Sequence, residues 1–237
     1  MQIASFRFTP KLIPTVAAIA AMVFTASLGK WQLNRAAEKL SLQSEYESKT
    51  KQAAIVYDAK NISIKSNTYS NVTISGEFDT KAEIFLDNKF HNDKPGYHVI
   101  TPLRTSNNDY VLINRGWVAR GSDYRNIPTV KTPQGSVTVE GIAVPPSGKF
   151  LELSKQTVEG KVWQNLVLSR YREQSKLSVA PLVIQQHNDT GDGLARVHER
   201  PDVGIAKHQG YAFQWFALCL GIFITYIVVN TKRSKTS

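Results

Sequence analysis

Cysteine is nearly missing from this 237-residue chain: the one present, Cys219, lies inside an apolar run, so no disulfide framework and no thiol chemistry belong to the polar part. Acidic residues are missing from the first 11 and the last eight positions, and no charge of either sign falls between Tyr211 and Val229. The sequence also lacks a Gly-x-Ser-x-Gly elbow, a His-Glu-x-x-His pair, a Cys-x-x-Cys-His attachment, a Walker loop and a dinucleotide fingerprint. Four histidines, His91, His98, His187 and His198, have no metal-ligand spacing to one another and read as surface or structural. No basic helix interleaves with stacking aromatics, so the formal charge of +10 is not a nucleic-acid footprint.

What is present is apolar at both ends. Leu12–Leu28 follows Arg7 and Lys11, and Pro14 falls in its first turn, where a missing N–H costs nothing. Thr25-Ala26-Ser27 vaguely resembles a signal cleavage site, but the run is long for a signal peptide and a matching C-terminal span favours an uncleaved anchor. The 19 residues of Tyr211–Val229 reach about 28 Å at ~1.5 Å each, enough for a hydrocarbon core, and close on Lys232, Arg233 and Lys235. Residues 30–207 hold 24 Lys and Arg against 19 Asp and Glu, so half of the net charge sits in the two tails. Basic tails stay cytoplasmic while a long loop is exported whatever its charge. The expected division is therefore a cytoplasmic tail 1–11, a span 12–29, a periplasmic domain 30–208, a span 209–229 and a tail 230–237. The tails are too short to fold, and the first is too short for a mitochondrial transit peptide, which favours a bacterial inner membrane.

The exported part begins helical, through Trp31, Gln32, Arg35 and Lys39, and turns β-rich after Asn61. Strands are expected at Val72–Phe78, Glu83–Asn88, Tyr97–Arg104, Tyr110–Val118, Ser136–Val144 and Leu182–Gln185, with a hairpin turn at Asn107-Asn108-Asp109 and a helix over Leu168–Leu177. The fold class is an α+β membrane protein: two transmembrane helices flank a mainly antiparallel small barrel or sandwich with peripheral helices. Asn114-Arg115-Gly116-Trp117 at a strand end reads equally as a packed corner or as a functional motif.

His208 opens the second span, with Tyr211 and Trp215 on its own side of the helix. Alone, an ionisable group there is either an interfacial residue beside an aromatic belt or a functional site. At ~100° per residue, His208, Tyr211, Ala212, Trp215, Cys219, Ile222 and Tyr226 share one face, and Ala217, Gly221 and Thr225 the opposite one. The first span has its own small stripe, Ala17, Ala21, Thr25 and Gly29. Close approach through small residues predicts stripe-to-stripe packing with the His face outward.

Six stretches in order resemble the Surfeit locus protein 1 family of cytochrome c oxidase assembly factors, over nearly the whole chain. They are Leu28-Gly29-Lys30-Trp31-Gln32 with Arg35; Gly76-Glu77-Phe78 with Leu86-Asp87-Asn88; Pro95-Gly96-Tyr97 running to Leu103; Val111 to Val118 around Arg115-Gly116-Trp117; Arg200-Pro201-Asp202; and His208-Gln209-Gly210-Tyr211 to Phe216. The resemblance implies a non-enzymatic role in forming the haem a centre of the oxidase large subunit, in contact with that subunit and with haem a synthase. It also implies transient haem a binding with His208 as iron ligand and Tyr211 and Trp215 flanking the macrocycle. The family motifs add Trp31, Gln32, Arg35, Gly96, Tyr97, Arg115, Gly116 and Trp117 as functional candidates. Two positions depart from the family pattern: Lys207 where many members carry Asn, and Lys89 where Arg is usual. Lys207 is able to pair with a haem propionate or to snorkel at the interface. The competing classes are a subunit-holding chaperone that binds no cofactor and a tethered periplasmic hydrolase, which lacks a recognisable nucleophile–base pair.

Overall fold

The computed structural model describes residues 6–57, 64–121, 127–146, 158–197 and 204–233. In chain order the strands are β1 (Phe6–Phe8), β2 (Ile55–Val56), β3 (Asn71–Phe78), β4 (Ile84–His91), β5 (Lys94–Thr105), β6 (Tyr110–Ala119), β7 (Ser136–Val144), β8 (Val158–Glu159), β9 (Val162–Trp163), β10 (Val179–Gln186) and β11 (Thr231–Arg233). The helices are α1 (Leu12–Thr50), α2 (Ile64–Asn67), α3 (Leu168–Ser175) and α4 (Ile205–Asn230). The chain divides into two units, Met1–Ser44 with Pro201–Ser237, and Glu45–Arg200.

The larger unit is a small barrel. β3 pairs with β7, β7 with β10, β10 with β6, β6 with β5, and β5 returns to β3, which closes a ring of five strands. Every pairing in the ring is antiparallel except β10 with β6. Its interior is filled by one cluster with members from all five strands: Val72, Ile74, Leu103, Val111, Ile113, Val139, Ala143, Leu182 and Ile184. The strict alternation of these residues with outward ones is the period-2 pattern of the sequence. Outside the ring, Ile100, Leu112 and Val183 point the other way and pack beneath Trp163, Leu166 and Tyr171, so α3 and the β9 segment cover that wall. β4, β9 and β8 extend the sheet beyond β5.

Turn chemistry fixes the register. β4 and β5 are joined by Asn92-Asp93, both at positive φ (49° and 60°), which suits the twist of a two-residue hairpin. The expected turn at Asn107-Asn108-Asp109 joins β5 to β6, with Asn108 at φ 62°. β4 runs three residues past the expected end at Asn88, because Asn88 takes φ 58° inside a bulge between Leu86 and Lys89 and the strand resumes beyond it. α3 ends two residues early, where Lys176 adopts the left-handed conformation and donates its N–H to Arg172 O.

The smaller unit is an antiparallel helix pair. Both helices are long and apolar enough to cross a membrane, which makes this a membrane protein with the β domain between its two apolar segments. α1 does not stop at the end of its apolar part but continues unbroken for 39 residues, about 58 Å at ~1.5 Å per residue. The tails do not stay separate: β1 and β11 pair antiparallel, Phe6 opposite Arg233 and Phe8 opposite Thr231. Thr9 N–H closes the ribbon on Asn230 O.

Candidate functional site

The helix seam corrects one expectation. Stripe-to-stripe packing with an outward His face is not what forms. Along α4 the residues withdrawn from the surface are Ile205, His208, Ala212, Trp215, Cys219, Ile222, Tyr226 and Asn230, which is the His face apart from the exposed Tyr211. Gly221, at the centre of the supposed contact stripe, has open space where a Cβ would stand. Of the first-span stripe only the Thr25 and Gly29 half enters the seam, and Ala17 stays exposed. Thr25 and Gly29 are buried, and a Cβ on Gly29 would lie 2.8 Å from the Phe216 ring. On α1 the seam runs Thr15, Ala18, Met22, Thr25, Gly29, Gln32, Ala36, alternating steps of three and four as in an antiparallel coiled coil. The physical reason is polarity. Tyr226, Cys219 and His208 each carry a polar group that would be stranded in an apolar environment, and each finds an α1 partner. The Tyr226 hydroxyl bonds Thr15 Oγ1 at 2.8 Å, Cys219 Sγ approaches Met22 O at 3.5 Å, and His208 Nδ1 lies 2.7 Å from Gln32 Oε1.

His208 is thus anchored through one ring nitrogen to a buried amide. Its Nε2 has no hydrogen-bond partner among the described residues. Beside it on α4, Tyr211 is exposed and Trp215 half-buried, while Ala212 is packed into the seam. Trp31 and Arg35 lie off the seam: Trp31 is 51% exposed, the Arg35 guanidinium stands 5.9 Å from its ring centroid, and Arg35 also pairs with Glu38 at 2.8 Å. Lys207 is exposed. Of the candidates from the family motif in α1, the structure joins only Gln32 to His208.

In the β domain the remaining candidates form a second assembly. β6 carries a bulge here: Val99 faces Gly116 and Ile100 faces Asn114, which leaves Arg115 as the extra residue. The bulge re-aims its side chain into a sealed polar cluster, where it is 0% exposed. Nη1 donates to Thr132 Oγ1 (2.8 Å) and Glu83 Oε2 (3.3 Å), Nη2 to Lys131 O (2.7 Å) and Asp192 Oδ2 (3.1 Å), and the Phe78 ring lies 4.8 Å away. Arg196 completes the cluster through Asp192 Oδ1 (2.9 Å) and the freed Arg115 carbonyl. Burial alone pushes the Asp192 carboxyl up, but the Leu194 N–H, Arg196 and Arg115 outweigh it and hold it below the ordinary carboxylate range. Gly116 sits at φ 132° with Ala195 O only 2.4 Å from where a Cβ would be, so no other residue fits.

Trp117 lies against Gly96, where a Cβ would meet the indole at 2.5 Å, and its Nε1 donates to Lys89 O at 3.0 Å. Tyr97 is buried between Phe85 and Arg120, the latter also paired with Asp87. His98 is buried against Asn114 Nδ2 (3.2 Å), and His91 meets the Trp117 ring edge-on. Gly96, Tyr97, Arg115, Gly116 and Trp117 are therefore brought together as the packed corner of the domain. Glu83, Asp192 and Arg196 were not anticipated, though a buried arginine requires carboxylate partners and so signals that they exist. His198 and Arg200-Pro201-Asp202 lie outside the described residues.

The comparisons agree with these two assemblies in extent. The model of the SURF1 family matches residues 19–220, from within the first apolar segment to within the second. The chain is similar to a SURF1-like protein of Rickettsia bellii, 30% identical over 218 residues that cover 89% of this chain and 87% of that one. A SURF1-like protein of Rickettsia conorii is 27% identical, covering 87% and 86% respectively. Surfeit locus protein 1 of Mus musculus is 30% identical over 108 residues, 39% of this chain. With the whole barrel and most of both helices inside the matched range, the chain belongs to the SURF1 family.

Proposed function

We propose that this protein is an assembly factor for a haem-copper cytochrome c oxidase, that it supports haem a delivery to the large subunit, and that it holds haem a transiently through His208. It works without catalysing a reaction, from a bacterial inner membrane, with both termini cytoplasmic and the β domain periplasmic. The observation that carries the ligand assignment is the anchored imidazole: Nδ1 faces Gln32 Oε1 at 2.7 Å and Nε2 is unengaged among the described residues. The donor set fits the group, because a neutral imidazole is a common axial ligand and its second nitrogen is ordinarily tied to a hydrogen-bond acceptor. Tyr211 and Trp215 supply apolar ring surface on the same side of α4 for the macrocycle. Haem a bound there would supply only its iron coordination site and its apolar body. The residues of this chain hold it, orient it and release it to the oxidase.

The test is genetic. A deletion strain without a second copy of the gene should lose most haem a-type oxidase activity while still synthesising the subunits, and wild type should restore it. His208→Ala should accumulate normally and restore little. Normal oxidase activity and haem a content in the deletion strain would overturn the assembly role. Full restoration by His208→Ala would instead leave a chaperone that binds no cofactor.

A further inference from the structure

We infer that Gln32 is the positioning residue that fixes the tautomer of His208 and thereby presents its Nε2 lone pair to a metal. This rests on the haem-ligating reading of His208 given above, but its first test does not need haem. A neutral imidazole carries one proton, and only the bare nitrogen is able to ligate. The acceptor at 2.7 Å from Nδ1 is the Gln32 carbonyl oxygen, so the proton belongs on Nδ1 and Nε2 is left as the lone pair. An amide turned the other way would offer an N–H to Nδ1, force the proton onto Nε2 and close the site. Gln32 is well placed to hold one orientation. It is buried, one turn from Gly29 on one side and Ala36 on the other, in the seam that α1 forms with α4. The same contact restrains the ring at the start of the seam, and Ala212 is buried one turn further along α4.

The arrangement gives α1 a task in ligation although it contributes no ligand. It also separates Gln32 from Trp31 and Arg35, the other residues of its motif, which face away from the seam. An acceptor behind a ligating histidine orients the ring and strengthens the donor, and its removal ordinarily weakens metal binding roughly 10- to 100-fold.

The experiment uses the full-length protein in detergent micelles, labelled with ¹⁵N at histidine, and assigns His208 by difference from His208→Ala. In haem-free wild type, Nδ1 should resonate as a protonated nitrogen and Nε2 as a bare one. Gln32→Glu, which as a carboxylate only accepts, should keep that pattern. Gln32→Leu should move the proton predominantly to Nε2. Titration with haem a should then show wild type and Gln32→Glu binding comparably, with a lower midpoint potential in Gln32→Glu, and Gln32→Leu binding about 10- to 100-fold more weakly. A protonated Nε2 in wild type, or a Leu variant unchanged in tautomer and affinity, would overturn the assignment. Retention by Gln32→Glu guards against misfolding as the cause of the loss. If wild type has the expected tautomer and binds no haem a, the positioning role stands and the haem reading fails.

Discussion

Arg115 and Asp192 show how a family motif at a strand end is used at the scale of single residues. The guanidinium is fully buried and its two carboxylates are nearly so, which makes the cluster valuable only while it is complete. Arg115→Leu would strip the buried Glu83 of its cationic partner and leave Asp192 with Arg196 alone, so it should destabilise the β domain by about 3–5 kcal/mol, read from denaturant unfolding. The pH dependence follows from Asp192. Its folded-state carboxyl lies below the ordinary value of 3.8, so its contribution is fully present above that value and is lost as the pH falls through the depressed one. Thermal unfolding should therefore shift downward steeply below about pH 4, and Asp192→Asn should be less stable at neutral pH but fall more shallowly in acid. The sequence marked Asn114 to Trp117 as unusual without deciding between packing and function, because a bulge and its distant partners are set by pairing with β5 and by residues 83 and 192, not by local pattern.

Among elements, strands and helices with strong periodicity were legible and their arrangement was less so. The expected strand over Val72–Phe78 and that over Ser136–Val144 correspond to β3 and β7 within one residue, because one face of each is committed to the barrel interior. β8 and β9 have two residues each and carry no periodicity to read. The closing contact of β3 with β5 pairs residues as far apart as Gly76 and Thr105, beyond any local signal. The helix seam departs from the small-residue expectation because small residues mark where helices are able to approach, whereas polar groups decide which face turns inward. That outcome is testable. Gly29→Leu must push into the Phe216 ring and should lower detergent stability or membrane accumulation, with an overpacking cost of about 1–3 kcal/mol. Gly221→Leu points into open space and should accumulate like wild type. Equal loss in both would return the contact to the opposite face.

For the whole molecule the charge asymmetry makes a separate prediction. The proposed orientation keeps both acid-free basic tails in the cytoplasm, so a reporter active only outside it should be silent at residue 237 and active near residue 150. A C-terminal fusion active in the periplasm would contradict the two-span topology. The central claim, that an assembly factor of the SURF1 family holds haem a at the start of its second apolar helix, is tested most directly by absorbance. Protein purified in detergent from cells that make haem a should carry a Soret band. The band should vanish in His208→Ala, weaken in Trp215→Ala and persist in His91→Ala and His187→Ala. A band undiminished in His208→Ala would place the ligand elsewhere and leave His208 as a structural partner of Gln32.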